Sequence, residues 1–229
     1  MEAGDPSIDE ALQQCLQNYP SFNYPWDGLE SFLEDGMINL PLIGYGSLIN
    51  EASAARTINT DDSAGRVPVK AYGAIRVFNY RMTPTLLNER YGTPAHSNYI
   101  AALNCERTGE ARDQFNGILT HISPDHLEAF REREKEYALK PVVYQIWDEP
   151  SSSPQVAYIL ELLPGSGDED DRYDPSILPH IDYTLLCQEG AQAISNSFLK
   201  GFNETTFLAD KQTTLNNFDL PQTDPTVGN

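Results

Sequence analysis

The run VPVKAYGAIRVFNYRM, residues 67–82, constrains the fold more than any other part of this chain. It is dense in β-branched and aromatic side chains, the composition of a strand packed on other structure. Gly73 interrupts it. A glycine inside a strand weakens the ladder and marks a bend or a close backbone approach. The segment predicts one long or bent strand with its bend at Gly73.

Further strand patterns gather around this run. Residues 40–43 read as a short buried strand, and residues 99–104 and 115–122 as two more, with Thr108-Gly109-Glu110 as a turn between them. Residues 142–147 and 156–162 follow, separated by Pro150 and the serines 151–153 as a hairpin loop. Strands that cluster in this way, without strict alternation with helices, exclude a doubly wound sheet. They predict an α+β domain: a compact, mostly antiparallel β-barrel or strongly bent sheet with surrounding helices.

Helical periodicity appears at the two flanks and once in the middle. Near the N-terminus, Ser7-Ile8-Asp9-Glu10 fits a capping box, and Ile8, Leu12, Cys15, Leu16 and Tyr19 make an apolar stripe. Pro20 and Pro25 end that helix. Asp27 is placed to cap a second short one carrying Leu29, Phe32 and Leu33, stopped by Gly36. Residues 51–58 and 178–199 are helical in pattern, the latter with a break near Gly190. Residues 165–171, GSGDEDD, read as a solvated acidic loop. The clearest helix starts at Ser123, with Pro124 at its first position and Ile122 able to staple onto Leu127. The expected organisation is a helical N-terminal extension over residues 1–38, a main domain over 39–215 and a polar tail over 216–229 that frays.

Charge and cysteine usage narrow the function classes. Acidic residues outnumber basic ones 34 to 15, a formal net charge of −19. Such a surface repels phosphate backbones and anionic membranes, so neither nucleic acid nor membrane is an expected partner. The first residues lack the basic and apolar regions of a signal peptide. Cys15, Cys105 and Cys187 are odd in number and widely spaced, which fits neither a disulfide framework nor a zinc site. A reducing cytoplasm is the expected compartment. His96, His121, His126 and His180 show no metal-ligand spacing, and no metal is expected.

Two features point to chemistry. The first is Gly44-Tyr45-Gly46-Ser47, directly after the first strand pattern. It lacks the third glycine of a dinucleotide fingerprint, the lysine of a P-loop and the spacing of a nucleophile elbow. It is either a plain turn or a backbone that brings N–H groups close to a carboxylate or oxyanion. The second is Glu134. With Leu127 at zero on a helical wheel, Phe130 falls at about −60° and Glu134 at about −20°, whereas Glu128, Glu132 and Glu136 fall at about 100° to 180°. Glu134 therefore shares the apolar stripe. Burial and the negative end of the helix dipole both raise a carboxylate pKa, the tuning that suits a general base or acid. The structural alternative is a glutamate that reaches past the stripe to water or pairs with Arg131. Cys105 with His96 or His121 is a weaker nucleophile candidate. Arg76 and Arg81 lie along the long strand. Both are candidates for a substrate carboxylate, but Arg76 is expected to face solvent, as charged residues mostly do.

Together GYGSL, AYGAIRVFNYRM and NGILTHISPDHLEAFREREKEY resemble the γ-glutamylcyclotransferase family, which opens its site with a YGS-type loop and carries an acid at the end of a helix. The resemblance covers residues 40–208, and the first 38 residues have no counterpart in it. It maps the family acid onto Glu134, after Arg133, with Tyr137 following. It also places Tyr158 on a downstream strand and Tyr183 on a later helix. It implies a barrel with surrounding helices and cyclisation of a small γ-glutamyl substrate to 5-oxoproline with release of an amine or amino acid. No cofactor or metal is implied. Glu134 would be the catalytic residue. The main chain of Tyr45, Gly46, Ser47 and Leu48, with Tyr137, Tyr158 and Tyr183, would bind the substrate. A non-catalytic member of the same fold, binding a small ligand or a protein partner, is the alternative.

Overall fold

The computed structural model describes residues 6–36, 39–56, 65–93, 97–135, 137–163 and 176–222. Strands β1 (Leu40–Gly44), β2 (Val67–Tyr72), β5 (Gln114–Ile122), β6 (Tyr137–Ile146) and β7 (Gln155–Leu162) close into a barrel in the order β1-β5-β2-β6-β7. All neighbours are antiparallel except β1 and β7, whose parallel contact at Leu42 and Tyr158 closes the ring. A second sheet has the order β8-β4-β3-β9, from β3 (Ala74–Arg81), β4 (Tyr99–Arg107), β8 (Leu178–Pro179) and β9 (Thr206–Leu208). The α+β barrel read from the strand clustering is the observed architecture.

The long run of residues 67–82 is what joins the two sheets. It is β2 up to Tyr72 and β3 from Ala74. Gly73 between them has φ +86°, a left-handed conformation that a side chain disfavours. Its carbonyl accepts from the N–H groups of Thr108 and Gly109, so the bend is tied to the β4–β5 turn. The sheets are stitched again where Asn104 Oδ1 accepts from the Leu162 N–H at 3.0 Å and Glu161 accepts from the Arg107 N–H at 2.7 Å.

Helices cover the outside. Helix α1 (Pro6–Asn18) buries Ile8, Leu12 and Cys15 against Tyr72 and Val143, while Leu16 is exposed. It begins at Pro6, so Ser7 lies inside its first turn rather than ahead of it. Helix α2 (Leu29–Gly36) sends Leu29 and Leu33 into the main core. Helix α3 (Glu51–Ala55) is capped by Asn50, whose side chain accepts from the Ser53 N–H. A short turn, α4 (Pro84–Leu86), runs on as π-helical Leu87–Tyr91. Helix α5 (Pro124–Arg133) has Pro124 in its first turn as expected. The Ser123 hydroxyl, however, bonds His126 Nδ1 at 2.8 Å instead of capping a backbone N–H. No helix among the described residues is long and apolar enough to cross a membrane.

The expected helix over 178–199 resolves into β8, then α6 (Ile181–Ile194) and α7 (Asn196–Glu204). The break falls at Ser195, which has extended backbone and caps α7 by accepting from the Phe198 N–H. Gly190 lies inside α6, where a Cβ would stand 2.6 Å from the backbone N of Asn50 and 2.9 Å from the carbonyl carbon of Ile49. The glycine permits close approach of helix and loop. The expected acidic loop 165–171, the end of the helix predicted over 51–58, and the last part of the tail lie outside the described residues.

Gly190→Ala forces that loop backbone away from α6. It is expected to cost about 1–3 kcal/mol, the range of overpacking in a well-packed interior. The urea midpoint of the purified variant measures it.

Candidate active site

Strand β1 ends at Gly44, and the next residues form the turn predicted from the glycines. Ser47–Ile49 make a single 3-10 turn, with Ile49 N–H donating to Gly46 and Asn50 N–H to Ser47. The N–H groups of Gly46, Ser47 and Leu48 precede those bonds, as the first donors of any helical turn do. The two glycines are steric requirements here. A Cβ at Gly44 would sit 2.6 Å from Leu48 Cβ, and one at Gly46 would collide with the Tyr183 hydroxyl. The side chain of Tyr45 turns away as an anchor: its hydroxyl donates to the Leu160 carbonyl at 2.7 Å, and its ring meets Phe115 edge-on.

Behind this turn lies Arg76, on β3. It is fully buried rather than solvent-facing. Its Nε donates to Thr206, Nη1 to the Asn116 carbonyl at 2.6 Å, and Nη2 to the Asn116 side chain and the Phe202 carbonyl at 3.0 Å each. Nη1 also reaches the Tyr45 carbonyl at 3.4 Å, and the guanidinium lies 4.0 Å from the Phe202 ring centroid. Among the described residues no carboxylate pairs with it, and desolvation lowers its pKa to about 9, so it stays charged at neutral pH. The expectation failed because fixed neutral acceptors, the Thr205 hydroxyl among them, replace water around one flat cation, and those acceptors come from distant parts of the chain.

The turn faces a cavity of about 320 Å³. Gly44 to Leu48 form one wall, and Glu134, Tyr137 and Tyr183 stand on others. Glu134 is the residue at the C-terminal end of α5, with its N–H given to the Phe130 carbonyl. It is 9% exposed, and the wheel placement holds: Leu127 and Phe130 are buried beside it on the same helix, and Glu128 and Glu132 face solvent. Burial raises its pKa from 4.5 to about 7, against a smaller lowering by Arg133. Arg133 Nε stands 3.3 Å from Glu134 Oε1, on a side chain 38% exposed to water. Arg131, the partner anticipated for Glu134, instead pairs with Glu30 of α2.

Of the tyrosines, Tyr137 and Tyr183 line the cavity and Tyr158 does not. Tyr158 packs instead against Phe22 and against Phe32 of α2, with ring centroids 5.9 and 6.4 Å away. The N-terminal helices supply an aromatic nest there that a strand pattern does not reveal. Cys105 is buried, and desolvation pushes its thiol well above its ordinary pKa, the reverse of an activated nucleophile. His96 lies outside the described residues, and His121 sits in β5 opposite Pro41. Sequence reasoning missed several other walls, among them Tyr80 and Met82 at the end of β3, and Leu86, Arg90 and Tyr91 from α4 and its π turn. Their signal, a Thr83-Pro84 cap before a short apolar turn, says helix but nothing about a cavity.

No family model matches this sequence, and no curated protein matches it significantly. Solved γ-glutamyl cyclotransferase structures resemble this chain. One described as γ-glutamyl cyclotransferase is 10% identical and covers 72% of this chain and 86% of its own, with a TM-score of 0.47. A yeast γ-glutamyl cyclotransferase specific to glutathione is 14% identical, covering 73% and 97%, with a TM-score of 0.44. YkqA from Bacillus subtilis is 11% identical, covering 81% and 58%, with a TM-score of 0.48.

The raised pKa of Glu134 sets a pH signature on stability. The unfolded carboxyl ionises near 4.5 and the folded one near 7, so the native state holds the extra proton between these values. Stability contributed by this group is therefore present below about pH 4.5 and lost as pH rises through 7. Glu134→Gln is expected to remove that loss and to gain roughly 2–3 kcal/mol relative to wild type at pH 8, and little at pH 4.5. Urea titrations at the two pH values read the difference.

Proposed function

We propose that this protein cyclises the γ-glutamyl group of small γ-glutamyl compounds to 5-oxoproline and releases an amine or amino acid. One observation carries the reading: the buried, proton-holding carboxyl of Glu134 shares a single cavity with the turn Gly44 to Leu48. The resemblance of the GYGSL turn and the RE helix end to the γ-glutamylcyclotransferase family supports it.

The attack is intramolecular, so a cavity that holds the glutamyl chain folded supplies much of the rate. The substrate α-ammonium must lose a proton before its nitrogen can attack the γ-carbonyl carbon. It loses a second after the new C–N bond forms. The leaving nitrogen takes up both as its own bond to that carbon breaks. A carboxyl with a pKa of about 7 accepts and returns protons at neutral pH without a large free-energy step in either direction. The N–H groups of Tyr45, Gly46, Ser47 and Leu48 are the donors for the substrate α-carboxylate or for the oxygen that becomes an anion in the tetrahedral intermediate. Tyr137 and Tyr183 wall the folded chain. The buried free thiols of Cys15, Cys105 and Cys187 fit a reducing, cytoplasmic setting.

The Arg133 contact to Glu134 is what favours a second reading, a non-catalytic binder of the same fold. Binding of γ-glutamyl compounds without turnover is its outcome.

Release of 5-oxoproline from γ-glutamyl dipeptides, glutathione and γ-glutamyl amines is the measurement. Glu134→Gln is expected to lose at least about a hundredfold in kcat/KM. In wild type, kcat/KM falls as pH drops below about 7, where Glu134 becomes protonated. Near-normal turnover by the glutamine variant refutes the mechanism.

A further inference from the structure

Residues 22–33, which the family resemblance leaves without a counterpart, reach the back of the Glu134 turn. Trp26 is fully buried, and its indole N–H donates to the Tyr137 carbonyl at 2.9 Å. Its ring packs on Phe130 with centroids 5.7 Å apart. These two contacts lie on either side of Glu134 in sequence. They also join a chain of hydrogen bonds through it: the Tyr137 N–H donates to the Glu134 carbonyl, and the Glu134 N–H to the Phe130 carbonyl, each at 3.0 Å. The turn carrying the carboxyl is thus closed on itself, and the indole fastens both of its ends.

Neighbouring contacts hold the indole in place. Phe22 exchanges two backbone bonds with Leu139, at 3.0 and 2.8 Å, two residues beyond Tyr137. Glu30 pairs with Arg131 on α5. Trp26 itself has φ +64°, a left-handed conformation that a bulky side chain adopts only when its surroundings over-determine it. Strain at a buried tryptophan is a feature expected of an element built to place something.

We propose that residues 22–33 are a working part of the active site, with Trp26 as the positioning residue that clamps the Glu134 turn against the glycine loop. This inference rests on the cyclotransferase reading for its kinetic consequence, but not for its structural one. The clamp does two things. It fixes where the carboxyl sits, which governs proton transfer more than substrate binding. It also keeps water from the underside of the turn, which sustains the burial that holds the proton.

Trp26→Phe keeps the aromatic contact with Phe130 and removes the N–H. It is expected to lower kcat about tenfold with KM within about twofold, and to move the acidic limb of the pH profile down by at least half a unit. Leu12→Ala, in α1 and remote from Glu134, is the control for lost stability alone, and leaves both the limb and the kcat of its folded fraction unchanged. Wild-type kcat and limb in Trp26→Phe, or the same changes in Leu12→Ala, overturn the proposal.

A second readout needs no turnover. Carbon-13 NMR titration of the Glu134 carboxyl, assigned by its disappearance in Glu134→Gln, gives its midpoint in wild type and in Trp26→Phe. A lower midpoint in the variant supports the clamp, and an unchanged one refutes it. In wild type the Trp26 indole N–H resonance should titrate with the Glu134 midpoint, and that of Trp147, the second of the two tryptophans, should not. An indole signal from Trp26 indifferent to that titration refutes the proposal even if Trp26→Phe does not fold. If Glu134→Gln retains full turnover, the cyclotransferase mechanism fails while the carboxyl midpoint still decides the clamp.

Discussion

The guanidinium of Arg76 is the interaction on which the rest of this structure depends. It belongs to the second sheet through β3, and it bonds the barrel at Asn116 on β5, the end of α7 at Phe202 and the edge strand β9 at Thr206. The same group reaches the carbonyl of Tyr45 in the glycine turn. Burying a cation without a carboxylate is costly, and the cost is met here by oriented neutral oxygens and an aromatic face. Those oxygens come from segments up to 130 residues away in sequence. The bonding array is satisfied only when barrel, sheet and helix have all assembled, so it acts as a requirement for the whole fold rather than for one piece of it.

The cavity inherits its electrostatics from this arrangement. Arg76 engages the Tyr45 carbonyl from behind the turn, while residues Gly44 to Leu48 line the cavity on the other side. Across from them, Glu134 sits where the helix dipole, burial and the absence of a strong counter-charge all favour the protonated form. Arg133 opposes these effects weakly because its side chain is open to water, where Coulomb attraction is screened. A carboxyl poised near neutrality is chiefly the result of burial, and needs no unusual residue.

Local patterns in the sequence carried a good part of this. Gly73 was legible because a glycine in a strand-forming run has few other uses. Glu134 was legible because helical geometry places side chains by arithmetic, and an acid on an apolar stripe stands out. What escaped depends on partners far along the chain. Arg76 looked like a surface charge because its acceptors lie on β5, α7 and β9. Tyr158 was assigned to the pocket by the family resemblance alone, and the aromatic rings of the first 38 residues, which have no counterpart in that resemblance, cover it instead. Gly190 looked like a helix break, whereas its missing side chain makes room for Asn50 of a different loop. Trp26 carried no local pattern at all: its significance is its bond to a carbonyl 111 residues further on.

That separation has a consequence for how the protein comes into being on the ribosome. Phe22 and Trp26 are made early, but their docking sites at Leu139 and Tyr137 emerge only after more than half of the chain has been synthesised. At about 5–20 residues per second, these aromatic side chains wait for several seconds beside a growing, incomplete barrel. For that interval the nascent polypeptide displays greasy side chains with nowhere to bind, the kind of surface that holdase chaperones capture. The turn that carries Glu134 is completed by a segment made 111 residues before the carbonyl it binds.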